Sequence, residues 1–299
     1  MASPLIPEKL RRLQLTGTIE VVSGNGHLPV VKVRTPWSTA EVFLHGAHVA
    51  HFQKNGEPPL LFMSPQSHFA EGQAIRGGVP ICYPWFGPRE GDVSHGYSRF
   101  HGWELVKTSA AANGTVTLQF ALPKLAGRQA WQALRTEFIV TIGETLTMEL
   151  VATNETCGET FTIENCLHSY FYVGNINRVS ITGLEGAVFD DFALGAGGAP
   201  KPACESPLHI TQETNRVYPD NTAMVEIRDE ELKRTVRVEK FNSLSTVVWN
   251  PWTTQKMPED WGSSDHLNMV CVESGNVKQN RISLAPGKTP ALKVVLSSR

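Results

Sequence analysis

The run Leu146-Thr147-Met148-Glu149-Leu150-Val151-Ala152 sets Leu146, Met148 and Leu150 on one face of an extended chain, because successive side chains of a strand point to opposite sides. Gly143-Glu144 stands before it and the β-rich segment Arg135–Ile142 before that, so the three read as a hairpin. Asn113-Gly114 makes a second such turn ahead of Thr115–Leu122. The same texture runs outward in both directions. Thr18–Val22, Val30–Arg34 and Ala40–Leu44 lie upstream. Thr160–Ile163, Val179–Thr182, Met224–Arg228, Arg234–Val238, Ser245–Trp249, Met269–Glu273, Ile282–Leu284 and Ala291–Leu296 lie downstream. Helix signals are confined to Pro7–Leu15 and to Pro258-Glu259-Asp260-Trp261, where a proline and two acids fill a first turn. Strands do not alternate with helices, which argues against a parallel α/β sheet. Many antiparallel strands in one chain predict an all-β protein of two large packed sheets. The chain reads as one domain over 1–299, with residues 1–16 as an N-terminal extension and Gly195–Pro202 as a surface loop.

Composition removes several function classes. Hydrophobic residues make up 41% of 299 positions, enough for a large core. The 27 basic residues against 29 acidic ones give a net charge of −2, without the basic face that nucleic acid requires. Five cysteines (Cys82, Cys157, Cys166, Cys204, Cys271) form no Cys-x-x-Cys pair and read as reduced thiols. Met1–Thr16 carries Lys9, Arg11 and Arg12 where a signal peptide would be apolar. No apolar run reaches the roughly 20 residues that span a bilayer. These features predict a cytoplasmic protein, in which the sequons at Asn113 and Asn154 carry no sugar. His45, His48 and His51 suggest a metal site, but alternation in a strand would turn His48 away from the other two. No metal is expected. Gly287-Lys288-Thr289 lacks the earlier glycine of a P-loop, since Ile282 holds that place.

Chemistry concentrates in five stretches. Ile75-Arg76-Gly77-Gly78-Val79-Pro80-Ile81-Cys82-Tyr83-Pro84-Trp85-Phe86-Gly87-Pro88 is too rich in Gly and Pro for a helix. Its glycines permit a sharp turn and close approach to a ligand, and Tyr83, Trp85 and Phe86 offer flat walls beside the Arg76 cation. Ser94-His95-Gly96-Tyr97-Ser98-Arg99 brings a second arginine. Two guanidinium forks on adjacent loops would clamp a dianion; alternatively each makes an ordinary surface ion pair. His168, in Cys166-Leu167-His168-Ser169-Tyr170-Phe171, is either a satisfied core residue or a catalytic one. Asp220, after Val217-Tyr218-Pro219, is either a turn acid or a ligand contact. Glu273 ends the apolar strand Met269–Val272, a stretch that stands out together with Val247-Val248-Trp249-Asn250-Pro251-Trp252. A carboxylate there is paired, capping or working, and burial would raise its pKa toward general-base duty.

Together the motifs Ile75–Pro88, His95-Gly-Tyr-Ser-Arg99, Leu167-His-Ser-Tyr-Phe171, Val248-Trp-Asn-Pro-Trp252 and Cys271-Val-Glu273 resemble those of the hexose-6-phosphate mutarotases, or glucose-6-phosphate 1-epimerases, relatives of galactose mutarotase. Their order covers about residues 20–296. The resemblance implies a galactose-mutarotase-like β-supersandwich and interconversion of the α and β anomers of an aldohexose 6-phosphate, most of all glucose 6-phosphate. It implies His168 as general acid, Glu273 as general base, Arg76 and Arg99 on the phosphate, and Asp220 on a sugar hydroxyl. His95 would bind the sugar or buttress the Arg99 loop. The family often has Gln where this chain has Ser94, so that substrate contact would differ. No cofactor is implied, the partner is a small sugar phosphate, and the protein is expected to be a monomer with no nucleic-acid or membrane partner. Three rivals remain: a non-catalytic carbohydrate-binding β-sandwich, an aldose 1-epimerase for unphosphorylated sugar, and a glycoside hydrolase pairing Asp220 with Glu273.

Overall fold

The structure, a computed structural model, describes residues 6–202 and 206–299. Cys204 falls outside them. Strands Leu134–Ile142 and Leu146–Asn154 alternate buried and half-buried residues along their lengths, and Phe138 faces Leu150 while Val140 faces Met148. The hairpins expected at Gly143 and at Asn113-Gly114 both form. Among the described residues these strands belong to an eight-stranded antiparallel sheet, whose order is Val179–Thr182, Val225–Asp229, Arg234–Phe241, Ala291–Ser298, Leu146–Asn154, Leu134–Ile142, Val116–Ala121, Glu104–Ala110. One face meets the core and the other meets water, which is why the alternation was plain in the sequence.

The second large sheet is of another kind. It runs Ala199–Lys201, Phe189–Asp191, Thr214–Pro219, Ser245–Asn250, Met269–Asn276, Asn165–Leu167, Ile81–Cys82, and Tyr170–Tyr172 also pairs with Met269–Asn276. Its two central strands, Ser245–Asn250 and Met269–Asn276, are buried at every position. One side, with Val248, Val270 and Val272, joins the main core, which also holds Leu118, Phe138 and Met148 of the first sheet. Each such side chain stabilises by about 1.5–3 kcal/mol when fully buried. The opposite side carries Trp249, Met269 and Cys271 in an aromatic cluster and Val217, Val247, Cys82 and Cys166 in a cluster of valines and thiols. This second side also carries the polar residues described below.

A four-stranded meander, Ile19–Ser23 to His48–Lys54, completes the layers, with a two-stranded pair of Phe161–Ile163 and Ile282–Leu284. A short helix at Glu8–Arg11 buries Leu10 in the core. Two expectations are corrected. Pro258–Trp261 is a single turn closed by Trp261 N donating to Pro258 O at 3.1 Å, not a helix; Asp260 is drawn off to Arg76 instead. In the histidine strand a bulge opposite Glu41/Val42 breaks the alternation, so period two does not set His48 against His51. The three still go separate ways: His45 Nε2 lies 2.6 Å from Gln73 O, His51 sits by Thr39, and His48 packs under Gly78. Among the described residues no helix is long and apolar enough to cross a membrane.

Candidate active site

The site is set by strand register. Leu167 faces Ser274 and Tyr170 faces Cys271. The intervening count is equal on both strands, so His168 lies directly opposite Glu273. Cross-strand neighbours hold their Cβ atoms about 4.5–5.5 Å apart, and the side chains meet: His168 Nε2 is 3.2 Å from Glu273 Oε1. Period two then puts Cys166, His168 and Tyr170 on one side of their strand, and Cys271 and Glu273 on the same side of the next. Tyr170 stacks on the His168 ring, centroids 4.7 Å apart and planes 12° off parallel. Trp249 meets both rings edge-on. Cys166 Sγ donates to the other carboxylate oxygen of Glu273 at 3.5 Å. The backbone of His168 is anchored as well, its N–H donating to Pro80 O at 3.0 Å in the Ile75–Pro88 stretch.

Burial governs the electrostatics. Removal from water penalises charge on either partner. It pushes Glu273 up to about 8, against the smaller opposing pulls of the Cys166 hydrogen bond and the Arg99 charge. It pushes His168 down to about 3, and Arg99 adds to the fall. Burial thus favours the neutral pair, a protonated carboxyl beside a neutral imidazole. One proton shared by an acid and a base is the count that a reversible proton relay needs.

The second arginine loop is bolted to the first. Gly96 lies so close to Tyr83 O that a Cβ would stand 2.0 Å away, and its φ is +73°. Only glycine fits there. His95 also holds a left-handed backbone, φ 64°, which costs on the order of 1 kcal/mol in a non-glycine residue. Its N–H donates to Gly87 O at 2.9 Å, and Gly87 N–H donates to its Nδ1 at 3.3 Å. Nδ1 is therefore the acceptor, and Nε2 carries the hydrogen. Burial first, then the charge of Arg99, holds His95 well below the usual histidine range, so the ring is a neutral donor, 5.8 Å from the His168 ring. Ser98 Oγ donates to Ile81 O at 2.9 Å, which fixes Arg99 beside it.

The two arginines differ. Arg76 Nε donates to both carboxylate oxygens of the buried Asp260, at 3.1 and 3.0 Å. Arg99 forms no ion pair among the described residues. Its Nη2 donates to the backbone carbonyl of Ser94 at 2.9 Å, and its Nε is buried without a partner among them. Ser94 itself is exposed and serves through its carbonyl rather than its hydroxyl. A half-buried guanidinium met by one neutral carbonyl and, at 5.1 Å, by the Phe100 ring, with no carboxylate paired to it among the described residues, is a site suited to an anion. The glycines beside Arg76 work differently from the expectation: Cβ atoms at Gly77 and Gly78 would strike Phe62 O and Val49 O, both at 2.4 Å. They admit neighbouring backbone, not a ligand.

Two other expectations shift. Tyr83 is buried in the main core, and Trp85 packs on Tyr97 and Trp131, so neither faces the His168–Glu273 pair; the aromatic surface there is Tyr170, Trp249 and Trp261. Asp220 follows the strand Thr214–Pro219, exposed, with its Oδ1 accepting from Asn280 Nδ2 at 2.7 Å. Its strand is separated from that of Glu273 by Ser245–Asn250, and Pro219 before it lines up through Ser245 with Gly275 rather than Glu273, so the two acids are not cross-strand neighbours. The polar residue of that strand on the site side is Asn215, in register with Trp249 and through it with Cys271. Asn215, Asp260 and Trp261 went unremarked as site residues in the sequence. Only register or a tertiary contact marks them, apart from the aromatic character of Trp261.

Residues 29–297 match the model of the aldose 1-epimerase family. A Salmonella typhimurium protein named "putative glucose-6-phosphate 1-epimerase" is 34% identical over 83% of this chain and 83% of its own. An Escherichia coli K12 protein of the same name is 32% identical over 85% of each. A crystal structure of a Salmonella typhimurium "putative mutarotase" superposes with a TM-score of 0.87 at 29% identity, covering 97% of this chain and 98% of that one. A galactose mutarotase-like protein from Lactobacillus casei shares the fold at 11% identity, with a TM-score of 0.68 over 90% of this chain and 100% of that one.

Proposed function

The chain belongs to the aldose 1-epimerase family, and on that premise we propose that it interconverts the α and β anomers of an aldohexose 6-phosphate, glucose 6-phosphate foremost. The observation that carries the reading is the in-register pair His168–Glu273 beside a half-buried arginine, Arg99, that forms no ion pair among the described residues. The sugar enters with its C1 hydroxyl and ring oxygen at the pair. One residue takes the hydroxyl proton while the other gives its proton to the ring oxygen, and the C1–O5 bond opens to the aldehyde. Rotation about C1–C2 and closure on the other face return both protons. Opening and closing exchange the two roles, so the resting proton on Glu273 serves as well as one on His168. Each proton transfer contributes about 10²–10⁴. His95 Nε2–H donates to a sugar oxygen, Arg99 holds the phosphate with Arg76 as its outer partner, and Asp220 takes a hydroxyl. The Ser94 hydroxyl has no assigned role. Comparing kcat/KM for glucose 6-phosphate, galactose 6-phosphate and glucose tests the substrate class; equal values with and without phosphate would remove the 6-phosphate from it.

The protein acts as a cytoplasmic monomer without nucleic-acid or membrane partners, a reading supported by free thiols at Cys82, Cys157, Cys166 and Cys271 and by the net charge of −2. Light scattering that gave twice the single-chain mass would contradict the monomer.

Three further outcomes are expected. Turnover should fall as pH rises through about 8, because Glu273, raised by burial, then loses the one proton of the pair; the loss comes on the alkaline side because the protonated carboxyl is the form that burial favours. After subtraction of the hydroxide-catalysed background, a rate that climbs through that range would show that the proton is not needed. Chelation should leave activity intact, since proton transfer between one acid and one base calls for no metal; loss restored by a single divalent ion would contradict this. Asp220→Asn should raise KM by less than about tenfold with kcat little changed, as befits one hydrogen bond made at the rim. A collapse of kcat would make Asp220 part of the relay.

A further inference from the structure

Cys271 precedes Glu273 by two residues on the same strand, facing the same side, and the proton relay does not use it. Its thiol, the His168 imidazole and the Glu273 carboxylate each place one donor atom within 4.8 Å of the other two, and all three residues are buried. The His168–Glu273 edge is 3.2 Å. Two ligands about 2.0–2.1 Å from a tetrahedral zinc stand about 3.3–3.4 Å apart, so that edge is already of the right length. Closing the widest of the other spacings by about 1 Å brings the sulfur in as well. One nitrogen, one sulfur and one oxygen form a donor set that suits zinc, whereas Mg2+ and Ca2+ take oxygen alone. Outer support is present: Cys166 Sγ holds the second oxygen of Glu273 at 3.5 Å, and Tyr170 fixes the imidazole plane. Cys166 orients its ligand by a hydrogen bond, as second-shell partners do, and Tyr170 by stacking, while Nδ1 of His168 has no hydrogen-bond partner among the described residues. Arg99 lies near enough to act on both His168 and Glu273 and opposes a dication, but a thiolate and a carboxylate bring two negative charges to offset it.

We infer that His168, Cys271 and Glu273 form a binding site for one borderline or soft divalent cation, Zn2+ being the representative, and that its occupation shuts the enzyme off. Binding exchanges metal-bound water for the three side chains. It releases two protons, that of the Cys271 thiol and the one held by the His168–Glu273 pair, and nothing is oxidised or reduced. A metal-bound imidazole and carboxylate can neither take nor give a proton, so the inhibition rests on the acid–base reading above while the binding does not.

The test uses the intact protein with Zn2+ in calorimetry and with Co2+ as a coloured substitute whose thiolate charge-transfer band reports a cysteine ligand. Wild type, Cys271→Ser, Cys271→Ala and Cys157→Ala are compared, the last because Cys157 is the exposed thiol among those described. Wild type and Cys157→Ala should bind Zn2+ and show the band. Both Cys271 variants should lose the band and bind at least about tenfold more weakly, since even an outer-shell partner is worth about 10–100-fold. Zn2+ should inhibit wild-type anomerisation reversibly and in competition with glucose 6-phosphate, and Cys271→Ser should retain activity that Zn2+ no longer suppresses. A band that persists in both Cys271 variants, or vanishes in Cys157→Ala, overturns the site, as does the absence of binding to wild type. A band dependent on Cys271 in a protein found to lack anomerase activity upholds the site and removes the catalytic reading instead.

Discussion

Replacing Glu273 by Gln is expected to lower kcat by about 10²–10⁴ while KM changes far less, because the lost interaction belongs to the transition state. The substitution keeps the volume of a side chain that is 1% exposed. It still offers an amide to His168, 3.2 Å away, and an oxygen to Cys166. It cannot take or give the proton. Burial favours the uncharged carboxyl of Glu273, so a neutral amide keeps the charge that burial favours and the fold should stay intact. A thermal melt alongside the kinetics separates a broken relay from a broken protein. His168→Asn should cost a similar factor. The double variant should be far less impaired than the product of the two, since both residues serve one relay. Multiplicative losses would mean that the two residues act independently. Near-normal turnover in Glu273→Gln would mean that the base is another group.

Replacing Arg99 by Ala carries the second large effect. Its guanidinium is answered by one carbonyl, and its Nε by none of the described residues. A phosphate there makes charge-assisted hydrogen bonds worth about 1.5–3 kcal/mol, so KM for glucose 6-phosphate should rise about tenfold to hundredfold. The slow reaction with unphosphorylated glucose, if measurable, should be little affected. Equal damage to both substrates would make Arg99 a structural residue and place the phosphate elsewhere. Arg76 is the poorer probe. Its removal strands Asp260, a 6% exposed carboxylate, and an uncompensated buried charge is destabilising in its own right.

Much of the fold was legible where a sheet has one wet face. Leu146–Asn154 and its hairpin partner alternate because one side meets water, and their boundaries were readable to a residue or so. The central strands of the site sheet have no wet face. Their sequences show no polarity rhythm, and the side on which Glu273 lies could not be read from Met269–Asn276 alone. His168 and Glu273 were recognisable as residues, but their meeting depends on the register of two strands 105 positions apart (168 to 273), and no local pattern encodes that. The pairing of Arg76 with Asp260 is likewise a contact across 184 positions. Local rules also misled. The first-turn signature at Pro258–Trp261 belongs to an isolated turn whose acid is needed elsewhere, and the bulge opposite Glu41/Val42 undid the facing argument for the histidines. The glycines at 77 and 78 were rightly read as close-approach residues, with the wrong neighbour assigned to them.

The central claim is that this chain moves a hexose 6-phosphate between its anomers through His168 and Glu273. The most direct measurement is the approach of freshly dissolved α-glucose 6-phosphate to anomeric equilibrium, followed by NMR exchange at neutral pH with wild type, with Glu273→Gln and without protein. The account predicts a saturable acceleration by wild type, at the same final anomer ratio, and a rate for Glu273→Gln close to the spontaneous one. It would be contradicted by identical rates with and without the wild-type protein, or by an acceleration that Glu273→Gln leaves intact.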